Sequence, residues 1–347
     1  MLKKMAFYDT IEGYPNRFND SLVVYILPII NIYSFCCNVI TAMILSKSKL
    51  TGDVNQYMLV ESIITSIYCL ISSFISIIRC GTLCPWGYDY LSKLYELYIF
   101  IFVGDSIEFF KFIINLIMSI IKYRSFSIQI RNQPNNKKNF YFILFSTIMI
   151  SFIINILPTY FCGSIVETTR LQSNQSFEKS TIKATFILAR NNYKNDLFKN
   201  IIKMIVPSLF LILLISIVIL NLMISFELKR FHIRKLSTIS INNSSNISSK
   251  DIRKTKLLIS YCINAMIGNL TNKLQFIMFY FLDNYSYSLY NTIGNGLLWL
   301  SHGNIFLINF CFNQEFNRTL AEMLGIKSEN KPQNFGNNNS TQLTTTF

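Results

Sequence analysis

Asp105, Glu108 and Lys111 stand in the middle of a stretch, Leu91 to Arg124, that is otherwise made mostly of Ile, Leu, Phe and Tyr. A charge at the centre of a lipid-crossing helix costs roughly 2.5–3.5 kcal/mol per residue on insertion scales, so such residues turn toward other helices or a cavity. Their i, i+3, i+6 spacing places them on one side of a helix, able to face the same neighbours. Glu108 and Lys111 can simply neutralise each other one turn apart. In a second reading Asp105, one turn above, faces a cavity and meets a cationic group of a ligand. Lys273, in another apolar run, either extends to the membrane edge or counters an acid of this helix.

Other chemistries lack their residues. His302 has no second His, Cys or acid at ligand spacing, so it reads as a packing or hydrogen-bonding residue, and no metal or cofactor is expected. No GxSxG, HExxH or paired-aspartate pattern is present, which argues against an enzyme. The many Asn within apolar runs read as helix-packing residues.

The elements that must position these groups follow from composition. Hydrophobic residues make up 51% of the chain and charged residues 14%, with a mean hydropathy of +0.35. Soluble domains carry about 25% charged residues, so the chain reads as an all-α integral membrane protein. The net charge of +14 comes from short basic segments between apolar runs, not from a basic soluble domain, and so does not indicate nucleic acid.

Residues 1–21 form a polar amino terminus without a signal-peptide pattern. Apolar runs of spanning length, about 20 residues or more, are read at 22–46, 54–78, 91–124, 139–161, 200–226, 257–282 and 291–312. Glu61 lies in the second, and Pro207 in the outer half of the fifth. Residues 313–325 read as a short amphipathic helix, with Phe316, Leu320, Met323 and Leu324 on one face, and 326–347 as a disordered tail. Between the fourth and fifth spans, 178–190 alternates enough to suggest a hairpin, and Asn174-Gln175-Ser176 is a glycosylation acceptor. The linker 227–256 is basic and rich in Ser and Asn.

Charge counting sets the orientation. Segments 47–53, 122–138, 227–256 and 313–347 hold 18 Lys or Arg, against 11 in the alternate segments, six of them in one long loop. The positive-inside rule weighs long loops little, so the amino terminus is expected outside and the carboxyl terminus inside a multi-pass plasma-membrane protein. Cys80, Cys84, Cys162 and Asn174 then all fall on the oxidising side.

On these marks the chain resembles the rhodopsin-like G-protein-coupled receptors, most closely divergent invertebrate members such as FMRFamide-receptor-like and chemosensory receptors. Asn38 stands where the family has the Asn of its first helix, Pro207 where it has the Pro of its fifth, and Trp86 where the first outer loop has a Trp. Asn313 to Arg318, NQEFNR, resembles the start of the family's membrane-parallel eighth helix. Where the family ends its third helix with Asp-Arg-Tyr, this chain has Ile121-Lys122-Tyr123. Ser66 replaces the acid of the second helix, Thr271 the Pro of the sixth, and Asn304-Ile305 the Asn-Pro of the seventh.

The resemblance implies an extracellular ligand, a short neuropeptide or small chemosensory molecule, bound near Asp105, Glu108 and Lys273. It also implies a heterotrimeric G protein engaging Lys122, Tyr123 and Arg124, with Asn38, Pro207 and Asn304 in structural roles. The family's outer-loop cysteine is missing near Leu94 to Leu97, so Cys80 or Cys84 would pair with Cys162. A secondary transporter would also place acids and lysines at mid-membrane, although no repeated half is visible. A non-signalling seven-helix protein is the further alternative.

Overall fold

A computed structural model describes residues 21–47, 53–78, 89–127, 137–162, 164–172, 181–189, 196–238 and 256–326, excepting 258 and 262. The described residues are almost entirely helical. Helix α1 is Leu22–Lys47, its first five residues in a wider π turn, and α2 is Asp53–Ile78. Helix α3 covers residues 90–127 without a break: Tyr90–Leu94, a π-helical Tyr95–Gly104, and Asp105–Ser127. Helix α4 is Lys137–Cys162 and α5 is Asp196–Thr238. Helix α6 includes Met266–Leu270 and Thr271–Phe281, α7 is Asn284–Phe312, and α8 is Gln314–Met323.

The fold departs from an all-α reading at one place. Strands β1, Ser164–Gln172, and β2, Thr181–Ala189, pair antiparallel with Ser164 opposite Ala189 and Gln172 opposite Thr181. The alternation in 178–190 marks only the second strand; its partner lies upstream, where Val166, Thr168 and Thr169 supply β-branched residues. Two elements also run longer than their apolar cores. Helix α7 starts at Asn284, because Asn, Tyr and Ser tolerate a helix there although they end the hydropathy signal. Helix α5 continues through Lys229, Arg230, Arg234 and Lys235 into the first part of the basic linker. At 1.5 Å per residue it is roughly 65 Å long, far more than the about 30 Å hydrocarbon core, so its basic end projects beyond the apolar part.

Among the described residues three helices are long and apolar enough to cross a membrane: Leu22–Lys47, Val54–Ile75 and Ser208–Glu227, with mean hydropathies of 1.9, 1.8 and 2.9. Phe140–Ile156 is a shorter apolar helix. The bundle's polarity is inverted relative to a water-soluble one. Ile29, Phe142, Phe145, Ile153 and Phe226 are exposed on the outside, while Glu61, Glu108, Lys111, Lys273 and many Asn and Ser are buried inside. In water such a surface would leave large contiguous apolar patches uncovered; in lipid it costs nothing.

Packing inside is aromatic. Phe109 and Phe112 of α3 meet Phe210, Leu214 and Ile217 of α5, and Tyr57 of α2 packs with Phe110, Ile114 and Met118 of α3. Leu27, Tyr68, Leu298 and Trp299 join α1, α2 and α7. Phe210 lies edge-on to Phe109 at 5.1 Å and to Phe112 at 5.2 Å, a geometry favoured by the ring quadrupoles. Asn313 caps α8 by accepting from the Phe316 backbone N–H at 3.2 Å. Phe316 anchors α8 against Phe306; Leu324, placed on the apolar face by spacing, is exposed at the helix end.

Candidate functional site

Helix α3 brings the charged residues to the centre of the bundle, but not all three to the same surroundings. Residues six apart on an α-helix point roughly 120° away from each other, wider than one buried stripe. Glu108 and Lys111 are buried, at 3% and 4% exposure, whereas Asp105 is exposed.

Glu108 pairs with Lys273 of α6, not with Lys111: Nζ donates to Oε2 at 2.7 Å, and both side chains are buried. Of the two alternatives for Lys273, the structure has the one in which it counters an acid of α3. The Lys273 ammonium also lies 4.1 Å from the centre of the Phe210 ring, a cation–π contact that covers its apolar side. Three helices, α3, α5 and α6, are thus joined at one charged point.

Lys111 reaches in another direction. Its Nζ is 3.1 Å from Nδ1 and 3.2 Å from Nε2 of His302 on α7, and 6.0 Å from the Tyr68 ring centre. Asn38 holds His302 in place from α1, donating to its backbone carbonyl at 3.1 Å, and Ser34 donates to the carbonyl of Trp299 at 2.5 Å. Asn38 thus ties α1 to α7. One turn further along the same face of α3, Asn115 donates to Glu61 of α2 at 2.7 Å. Asn304 donates to Asn264 at 3.3 Å, and Asn264 donates to the Ser301 carbonyl at 2.7 Å, linking α6 with α7.

Glu61, Glu108, Lys111, Asn115, His302 and Lys122 line a cavity of about 100 Å³ between α2, α3, α5, α6 and α7. Lys122 is half-buried, with its Nζ 5.6 Å from the ring centre of Tyr261 on α6. Tyr123 is half-buried on the neighbouring position. Arg124 and Pro207 are helical, in α3 and α5, but their side chains are outside the described residues, as are Cys80, Cys84 and Asn174. Cys162 is the last residue of α4; among the described residues Cys36, Cys37, Cys69 and Cys311 are free thiols. No group of three or more His, Cys, Asp and Glu among the described residues could hold a metal ion.

The pairings that spacing does not reveal are those between helices. Glu61 with Asn115 and Lys111 with His302 join residues 54 and 191 positions apart. The available signal is that Glu61, Asp105, Glu108, Lys111 and Lys273 stand deep in apolar runs, where a charge needs a partner on another helix. No protein-family model matches the chain, and no curated protein matches it.

Proposed function

We propose that this chain is a rhodopsin-like G-protein-coupled receptor of divergent invertebrate type, a multi-pass plasma-membrane protein with seven spanning helices, its amino terminus outside. It senses an extracellular short peptide or small chemosensory molecule and signals through a heterotrimeric G protein. The observation that carries this reading is the buried Glu108–Lys273 pair, a charged contact tying α3 to α6 across the middle of the bundle. Removing a partner from such a pair is strongly unfavourable, so the contact biases the bundle toward one arrangement. A ligand that prefers another arrangement shifts the equilibrium by its differential affinity. Asp105, one turn above and exposed, is the anchor for a cationic ligand group. Lys122, Tyr123 and Arg124 lie at the other end of the same helix, where a G protein docks.

The test is second-messenger output in cells expressing the chain, screened against amidated short peptides and biogenic amines, with Asp105→Asn in parallel. A response abolished by Asp105→Asn at unchanged surface expression supports a receptor with a cationic ligand. Silence across the panel at good surface expression removes the peptide and amine readings. The charged groups in the wall of the interior cavity, Glu61, Glu108, Lys111 and Lys122, favour a second reading, a secondary transporter, which predicts solute uptake into proteoliposomes instead.

A further inference from the structure

The cavity beside α3 is lined by an acceptor without a donor and by a cation without an anion. Glu108 gives Oε2 to Lys273, but its Oε1 has no hydrogen-bond partner, and the residue is 3% exposed and lines the cavity. An ionised carboxylate can only accept, and a buried acceptor left unpaired keeps its full desolvation penalty, so a donor must reach it. Lys111, also in the wall and 4% exposed, donates to the His302 ring and pairs with no carboxylate among the described residues. Its remaining N–H groups call for an acceptor. The two residues stand one turn apart on α3, with Cβ atoms about 5–6 Å from each other, so one small molecule can reach both.

Charge and size set the class of that molecule. The wall carries Glu61, Glu108, Lys111 and Lys122, and Lys273 binds Glu108 at 2.7 Å. These groups amount to a net charge of +1, and Asp105 is exposed and not among the wall residues. A monoanion neutralises that excess, whereas a metal cation adds to it. Glu61 is engaged by the Asn115 amide at 2.7 Å, which leaves Lys111 as the contact for the anion. A halide would press its charge against Glu108 Oε1 and leave it unpaired; an anion with its own hydroxyl turns that contact into a charge-assisted hydrogen bond. About 100 Å³ holds a molecule of only a few heavy atoms.

We propose that this cavity binds a small oxyanion carrying its own hydroxyl, of the hydrogencarbonate type: its O–H donates to Glu108 Oε1, and its charged oxygens accept from the Lys111 ammonium. Such binding requires neither signalling nor transport.

The experiment measures thermal unfolding of the full chain in nanodiscs at one mildly alkaline pH, with sodium hydrogencarbonate, formate or chloride at equal concentration. Hydrogencarbonate raises the unfolding temperature of the wild type by about 2–4 °C over chloride. Formate, an oxyanion without the hydroxyl, does no more than chloride. The Lys111→Met variant loses the hydrogencarbonate shift; if it does not fold, the three salts decide on the wild type alone. Equal temperatures in all three salts, with water alone in the cavity, overturn the proposal. So do a formate shift as large as that of hydrogencarbonate, and a folded Lys111→Met variant that keeps the shift.

Discussion

Glu108 and Lys273 match their charges between α3 and α6, so removing either one strands the other in the bundle. Lys273→Met leaves Glu108 as a buried, unpaired carboxylate and should destabilise the protein by about 3–5 kcal/mol, read as the fall in unfolding temperature in detergent. Adding Glu108→Gln removes the second charge as well and should recover part of that loss. A double variant no more stable than the single one would show that the pair is not what the first substitution broke. Asn115→Ala should cost about 1.5–3 kcal/mol, because its amide bonds a carboxylate, Glu61, at 2.7 Å. At this scale the sequence is informative about identity and silent about partners. Asp105, Glu108, Lys111 and Lys273 stand out as ions in apolar runs, yet the obvious i+3 partner of Glu108 is not the one it takes. It takes a lysine on α6, 165 positions away, at 2.7 Å, with the ammonium covered by the Phe210 ring.

Among the elements, α6 packs tightly on α7 at Gly268, and α7 on α1 at Gly303. A Cβ on Gly268 would run into Ser301, and one on Gly303 into the ring of Tyr33. Gly268→Ala should therefore cost about 1–3 kcal/mol by overpacking, and a second change, Ser301→Gly, should restore much of it. Gly294→Ala is the control, since its Cβ would find its nearest neighbour at 3.5 Å, an ordinary contact. Thermal unfolding of the three variants decides, and equal loss at Gly268 and Gly294 would contradict the assigned approach. Helix positions are legible from hydropathy because lipid demands long apolar runs. Their ends are not: α5 runs on to Thr238 and α7 begins at Asn284, since helix propensity and packing, not hydropathy, end a helix. The hairpin is half legible, because alternation is visible in β2 while β1 is broken by Glu167 and Arg170.

For the whole molecule, the inverted polarity of the bundle is legible in composition alone, since an apolar chain with few charges leaves its polar residues no place except inside. The proposed orientation rests on the basic segments. A tag at the amino terminus should bind antibody on intact cells and one at the carboxyl terminus only after permeabilisation; the reverse pattern would contradict the proposed topology. Its physical basis is the excess of Lys and Arg in the alternate segments beginning at 47, 122, 227 and 313.

The receptor reading joins these scales in one claim: the Glu108–Lys273 contact between α3 and α6 holds the bundle in its resting arrangement. The most direct measurement is basal nucleotide exchange on G proteins in membranes holding equal surface amounts of wild type, Lys273→Met, and the charge-swapped Glu108→Lys, Lys273→Glu pair. The account predicts exchange raised several-fold in Lys273→Met and returned toward wild type in the swap. Exchange that is absent or identical in all three, with each protein folded at the cell surface, would contradict it.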